Sequence, residues 1–197
     1  SSGGCDAYLE TSLGGGEYFL IVNTFDTPVK ESCELMGDYE LLVSYSSSSS
    51  QQLGSAISTA GTKYSAEFTG KITANDGANF GNKFTPSDSL DISAMVSIDQ
   101  AHRGQSGFFV VAARIDNQFL FLNDQGSFVN SERLIPYLEK KLEAEEAIQI
   151  ANNLVAADFG IADITVDFFV GYGISSAPNE IYFHETPLNL IISPLGE

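Results

Sequence analysis

Between residues 90 and 98 the chain repeats with a period of two. Leu90, Ile92, Ala94, Val96 and Ile98 fall on one side, and Asp91, Ser93 and Ser97 on the other. Only an extended backbone sends alternate side chains to opposite faces, so this stretch is a strand with one buried and one wet face. A polar corner at 99–107 follows, and the chain returns as Phe108-Phe109-Val110-Val111-Ala112-Ala113. It turns at Asp116-Asn117, two residues that tolerate positive φ, and runs back through Phe119-Leu120-Phe121-Leu122. This meander reads as the centre of an antiparallel sandwich.

The rest of the chain keeps the same rhythm. Tyr64, Ala66, Phe68, Ile72 and Ala74 alternate with polar partners, with Gly70 expected at a bulge or bend. Tyr18-Phe19-Leu20-Ile21-Val22 is apolar enough for a strand buried on both faces, and residues 39–45 form another strand. Ile164, Val166, Phe168 and Val170 alternate up to Gly171-Tyr172-Gly173, read as a stop, and strands follow at 180–184 and 188–192. Residues 46–52, Ser-rich and ending in Gln51-Gln52, read as an exposed loop. Residues 131–147 alone look helical, with Ser131 as a cap and Leu138 and Leu142 as a thin stripe. The pattern predicts an all-β antiparallel β-sandwich, Ig-like or jelly-roll-like, of about ten strands. At most one short helix is expected, near 132–142. Residues 1–16 read as an extended arm ending in the joint Gly14-Gly15-Gly16, and 17–197 as a single sandwich domain.

Charge narrows the partners. Lys+Arg 9 against Asp+Glu 26 gives −17, which disfavours nucleic acid and anionic membrane surfaces. No run approaches the ~20 apolar residues of a membrane helix. Cys5 and Cys33 are the only cysteines. They lack metal or redox spacing, so they read as a disulfide in an oxidising compartment, the alternative being two unpaired buried thiols. Closing a loop of about 29 residues stabilises a fold by roughly 3–4 kcal/mol on the chain-entropy model.

Five stretches stand in a distinctive order and spacing: Pro86-Ser87-Asp88-Ser89-Leu90-Asp91-Ile92, the run from His102-Arg103-Gly104 to Ala112, residues 119–129, residues 166–173 and residues 180–192. Together they resemble a module of large exported surface proteins of Gram-negative bacteria. The resemblance spans residues 70–193. It departs in lacking the Trp that often follows the Phe128-Val129 position, and those modules tend to be repeats within long polypeptides. It implies an extracellular β-sandwich and carries no activity and no site residues.

Catalytic motifs are sparse. His102 and His184 stand in no ligand spacing; His102 is expected to stabilise its corner and His184 to face solvent from a strand. No GxSxG is present, and among so many carboxylates no acid–base pair stands out. Hard oxygen donors on loops suit calcium, and Asn75, Asp76, Asn79 and Asp124 are the candidate ligands. The same residue types also close hairpins as Asx turns. The arm alternates through Ala7, Leu9 and Leu13, a pattern suited to adding a strand to a neighbour's sheet edge. The expectation is therefore a non-catalytic extracellular structural or adhesive protein, self-associating at a surface or in a filament. The alternative is a carbohydrate-binding module, with calcium as an assisting ion, presenting Tyr172, Tyr182 and Phe169 to glycans.

Overall fold

The computed structural model describes residues 50–194, which fall within one compact unit, Ser47–Glu197. The arm residues Ala7, Leu9 and Leu13, the glycine joint, Cys5 and Cys33 lie outside the described residues.

The described residues form thirteen strands. In chain order they are β1 Gln51–Ser58, β2 Lys63–Ala74, β3 Asn79–Phe80, β4 Lys83–Phe84, β5 Ser89–Ser97, β6 Ser106–Ile115 and β7 Gln118–Leu122. There follow β8 Phe128–Asn130, β9 Leu138–Lys141, β10 Glu145–Val155, β11 Ile164–Ile174, β12 Ala177–Phe183 and β13 Leu188–Ile192. The sheet runs β10-β5-β2-β1-β12-β11-β6-β7-β8, with β3, β4, β9 and β13 attached beside this path. Every pairing is antiparallel except the short one between β13 and β4. The described residues are all-β, with more strands than the turn signals implied.

β6 and β11 lie side by side through nine residue pairs and organise one half. Each gives its other edge to two strands placed end to end. β6 pairs with β7 through 112–115 and with β9 through 106–109, while β11 pairs with β13 through 164–168 and with β12 through 171–174. Phe109, Val111 and Ala113 enter the main core with Phe68, Ile72, Ile92, Val96, Phe168 and Tyr172. The alternate residues Phe108 and Val110 form a second cluster with Ile181, against which Phe121 and Phe183 pack. A strand apolar on both faces has both faces covered, which explains the unbroken run from Phe108 to Ala113.

The helix expected near 132–142 is replaced by a connection and a strand. Among the described residues the only helical turn is the 3₁₀ turn Ala156–Phe159, and none is long and apolar enough to cross a membrane. The i, i+4 pair Leu138 and Leu142 mimics a helical stripe, but β6 offers a free edge to residues 138–141, and that ladder wins over a weak local propensity. Gln51 and Gln52 open β1 rather than a loop, pairing with Gly70 and Thr69. Gly70 is no bulge on the side of β5, where the register from Glu67 to Ala74 is unbroken. It is glycine because a Cβ there would sit 2.9 Å from the Leu188 side chain. Nor do Gly171 and Gly173 stop β11, which continues to Ile174. A Cβ on Gly173 would lie 2.4 Å from the Phe108 ring, so the glycine makes room for that ring on the sheet.

Candidate functional site

The two histidines are both buried, each in a different kind of seat. β12 leaves β11 at Gly171 and β13 joins it at Phe168, so the Val170 amide falls in the gap between two ladders. His184 fills that gap. Its Nε2 accepts the Val170 N–H at 2.9 Å, and its Nδ1 donates to the Thr186 carbonyl at 2.8 Å. Phe68 lies 5.2 Å from the ring, and Phe169 stacks on it at 5.9 Å. The side chain is 0% exposed, so the expectation of a solvent-facing residue is corrected. Burial pulls its pKa down to about 4, because a cation there would lose water and the Val170 bond together.

His102 occupies the corner before β6, as expected, and its ring turns inward. Its Nδ1 bonds the Tyr172 hydroxyl at 2.8 Å, while Tyr64 and Tyr182 pack at 5.4 and 4.4 Å. Burial raises the pKa of both Tyr172 and Tyr182, keeping the phenols protonated. Asp99 ties the corner together, accepting from the Ala101 and Ser65 amides and from Ser65 Oγ. The Ala101 bond, with those from Ser65, holds its carboxyl below the usual range. Serine, carboxylate and imidazole thus meet in one corner, but the hydroxyl donates straight to the carboxylate and the imidazole bonds a phenol. No serine-to-histidine relay is formed. We expect Tyr172→Phe to lower stability by about 1–3 kcal/mol, read by urea unfolding, because the buried His102 Nδ1 loses its partner.

The candidate ligands for calcium are placed in two hairpins. Asn75 and Asp76 take left-handed conformations (φ 55 and 57) in the turn after β2, and Asn79 opens β3. Asn75 spends its amide on Asp88 and its carbonyl on the Ser89 N–H. Asp88 in turn accepts from the Thr85 amide and hydroxyl. Asp124 belongs to the turn between β7 and β8, closed by Asn123. Among the described residues no three His, Cys, Asp or Glu side chains converge as a metal-ligand group. Of the aromatic platforms suggested for sugars, Tyr172 and Tyr182 are buried and unavailable for stacking. Phe169 remains half-buried, with the Arg114 guanidinium 5.5 Å from its ring centre.

An open groove lies beside the second apolar cluster. It is a groove of about 670 Å³ with Phe108 and Ile181 in its floor and Leu134, Pro136 and Pro178 on its walls. Arg133 and Glu139 also line it. Sequence reading passed over this groove because residues 131–136 were assigned to a helix. A Pro-containing run opposite a strand apolar on both faces was the available signal.

Together the fold and this groove define an all-β domain whose recognisable features are sheet edges and an apolar recess. No family model, curated protein or solved structure matches the chain.

Proposed function

We propose that the chain is a non-catalytic structural or adhesive subunit that works outside the cell and joins its neighbours by strand addition. In this reading its sheet folds over into a two-layer sandwich. Supporting the sandwich, β2 and β13 share no ladder, yet Gly70 of one meets Leu188 of the other, and Phe68 packs on His184.

The observation that carries the self-association is the outer edge of β10. This strand ends the sheet path, and its register with β5 is regular over residues 145–149. The Ala144 carbonyl accepts the Ile98 N–H. Alternation along an antiparallel ladder therefore turns the backbone groups of Glu145, Ala147 and Gln149 away from β5. Among the described residues no strand pairs with them. Register shifts after Gln149 and the left-handed Asn153 limit the free edge to that segment. A short, regular edge accepts a short alternating strand, and Ala7, Leu9 and Leu13 alternate in that way. Such a contact joins two different surfaces and propagates when it does not close into a ring.

Ala147→Pro removes the central outward N–H while proline is tolerated on an edge. In sedimentation and electron microscopy of the full chain at about 100 µM, the parent is expected to form extended oligomers, and the variant and a 1–13 deletion to lose them. Their circular dichroism should match the parent. A parent that stays monomeric, or oligomers indifferent to both changes, refutes strand addition.

A further inference from the structure

The groove beside the second apolar cluster carries charges of both signs, neither of them in an ion pair among the described residues. Arg133 and Glu139 both line it. Elsewhere Arg114 pairs with Asp167 and Lys140 with Glu143 and Glu146. The same groove is lined by the buried Phe108 and Ile181 and by Leu134, which has 40% of its surface exposed.

A surface holding an unpaired cation, an unpaired anion and an apolar recess with a projecting apolar side chain is complementary to itself. In a two-fold contact residue i meets j and j meets i, so each unsatisfied group finds its counterpart on the other copy. A foreign acidic peptide would satisfy Arg133 and leave Glu139 facing a like charge. A glycan would want an open aromatic face, and Phe108 in the floor is buried. At −17, two copies repel over most of their surfaces, and a contact that sets Arg133 against a carboxylate offsets this locally.

We infer that this groove is a two-fold interface between copies of the chain. Leu134 of each seats in the recess of the other, and Arg133 of each faces Glu139 of the other. The contact is separate from strand addition at β10 and closes at the dimer, so the two can be broken independently.

The test uses the full chain carrying Ala147→Pro, which removes the edge contact, and measures dimer dissociation by sedimentation velocity. The parent on this background is expected to dimerise. Arg133→Glu and Glu139→Arg should each weaken the dimer about tenfold or more, because each swap puts two like-charge contacts in one interface. The double swap should return to within about threefold of the parent, since reciprocal pairing is restored. Both residues are exposed, so each variant should fold, checked by circular dichroism. A monomeric parent, single swaps without effect, or a double swap no tighter than the singles overturns the interface. Each of these outcomes leaves strand addition to be judged by its own variant.

Discussion

Replacing His184 with leucine is expected to destabilise the domain by about 3 kcal/mol, although leucine suits the apolar surroundings. The loss comes from two backbone groups. The Val170 N–H loses its acceptor at a buried site, and the Thr186 carbonyl loses its donor at a partly buried one. Unpaired buried polar groups each cost about 1–3 kcal/mol, which outweighs anything gained by burying a more apolar side chain. His184→Asn, which keeps both a donor and an acceptor on a shorter side chain, should recover part of the loss. Urea midpoints of the three proteins measure this, and a His184→Leu variant as stable as the parent would show that the gap closes without the imidazole.

The same residue imposes a pH dependence whose sign follows from its lowered pKa. In the folded protein His184 titrates at about 4, against an ordinary 6.5. Above pH 6.5 neither the folded nor the unfolded state is protonated there, and the full stability is present. As pH falls from 6.5 towards 4 the unfolded chain takes up the proton first, so stability declines. Below about 4 both states are charged and the loss is complete, at roughly 3 kcal/mol. The carboxylates act in a lower window. Asp99 is held down by its Ala101 and Ser65 bonds. At Asp167, burial raises the pKa but is outweighed by the Asn189 and Arg114 bonds. Their lowered values contribute above the ordinary carboxylate pKa, and that contribution disappears as pH falls below it. The difference between parent and His184→Leu from pH 7.5 to 4.5 isolates the histidine, because general charge effects are shared. Parallel pH profiles would contradict a neutral, buried imidazole.

The second large effect is expected at Gly107, where alanine should cost about 3 kcal/mol or more. Gly107 pairs with Ile174 on one side and Lys140 on the other. An added Cβ would lie 2.5 Å from the Gly173 carbonyl oxygen and 2.8 Å from Leu142. Leu142 is a side chain and can shift, but the carbonyl belongs to the ladder joining β6 to β11. A Gly107→Ala, Leu142→Ala double variant should therefore stay as unstable as the additive sum or worse. Thermal unfolding decides it, and a Gly107→Ala variant melting with the parent would mean that the two strands separate at little cost.

Much of the strand content was legible because one buried face writes itself as alternation. The alternation over 90–98 falls on β5, Ser89–Ser97, and that over 62–74 on β2, Lys63–Ala74, while Asp116-Asn117 closed the β6–β7 hairpin with Asp116 at φ 53. Elsewhere local pattern was ambiguous. The run from Leu138 to Glu146 fits a charged helix face as well as two short strands. What decides is Glu146, buried in the strand form by Lys140 at 2.8 Å and by the Glu143 amide at 2.7 Å. The parity of strand 180–183 put His184 on the wet side. That count fails at residue 184, where β12 has ended and the ring turns into the gap beside Val170.

The sequence by itself determined that this is a β protein and where most strands run, since a period of two is a property of consecutive residues. Only the tertiary structure decided which glycines make room for a neighbour and that His184 serves as a stand-in for a missing strand. It alone also brought Arg133 and Glu139 to one groove. Those facts depend on which strands lie side by side, and ladders join residues far apart in the chain, as Gly70 beneath Leu188 illustrates. A local pattern records whether a side chain is buried and leaves unwritten what buries it.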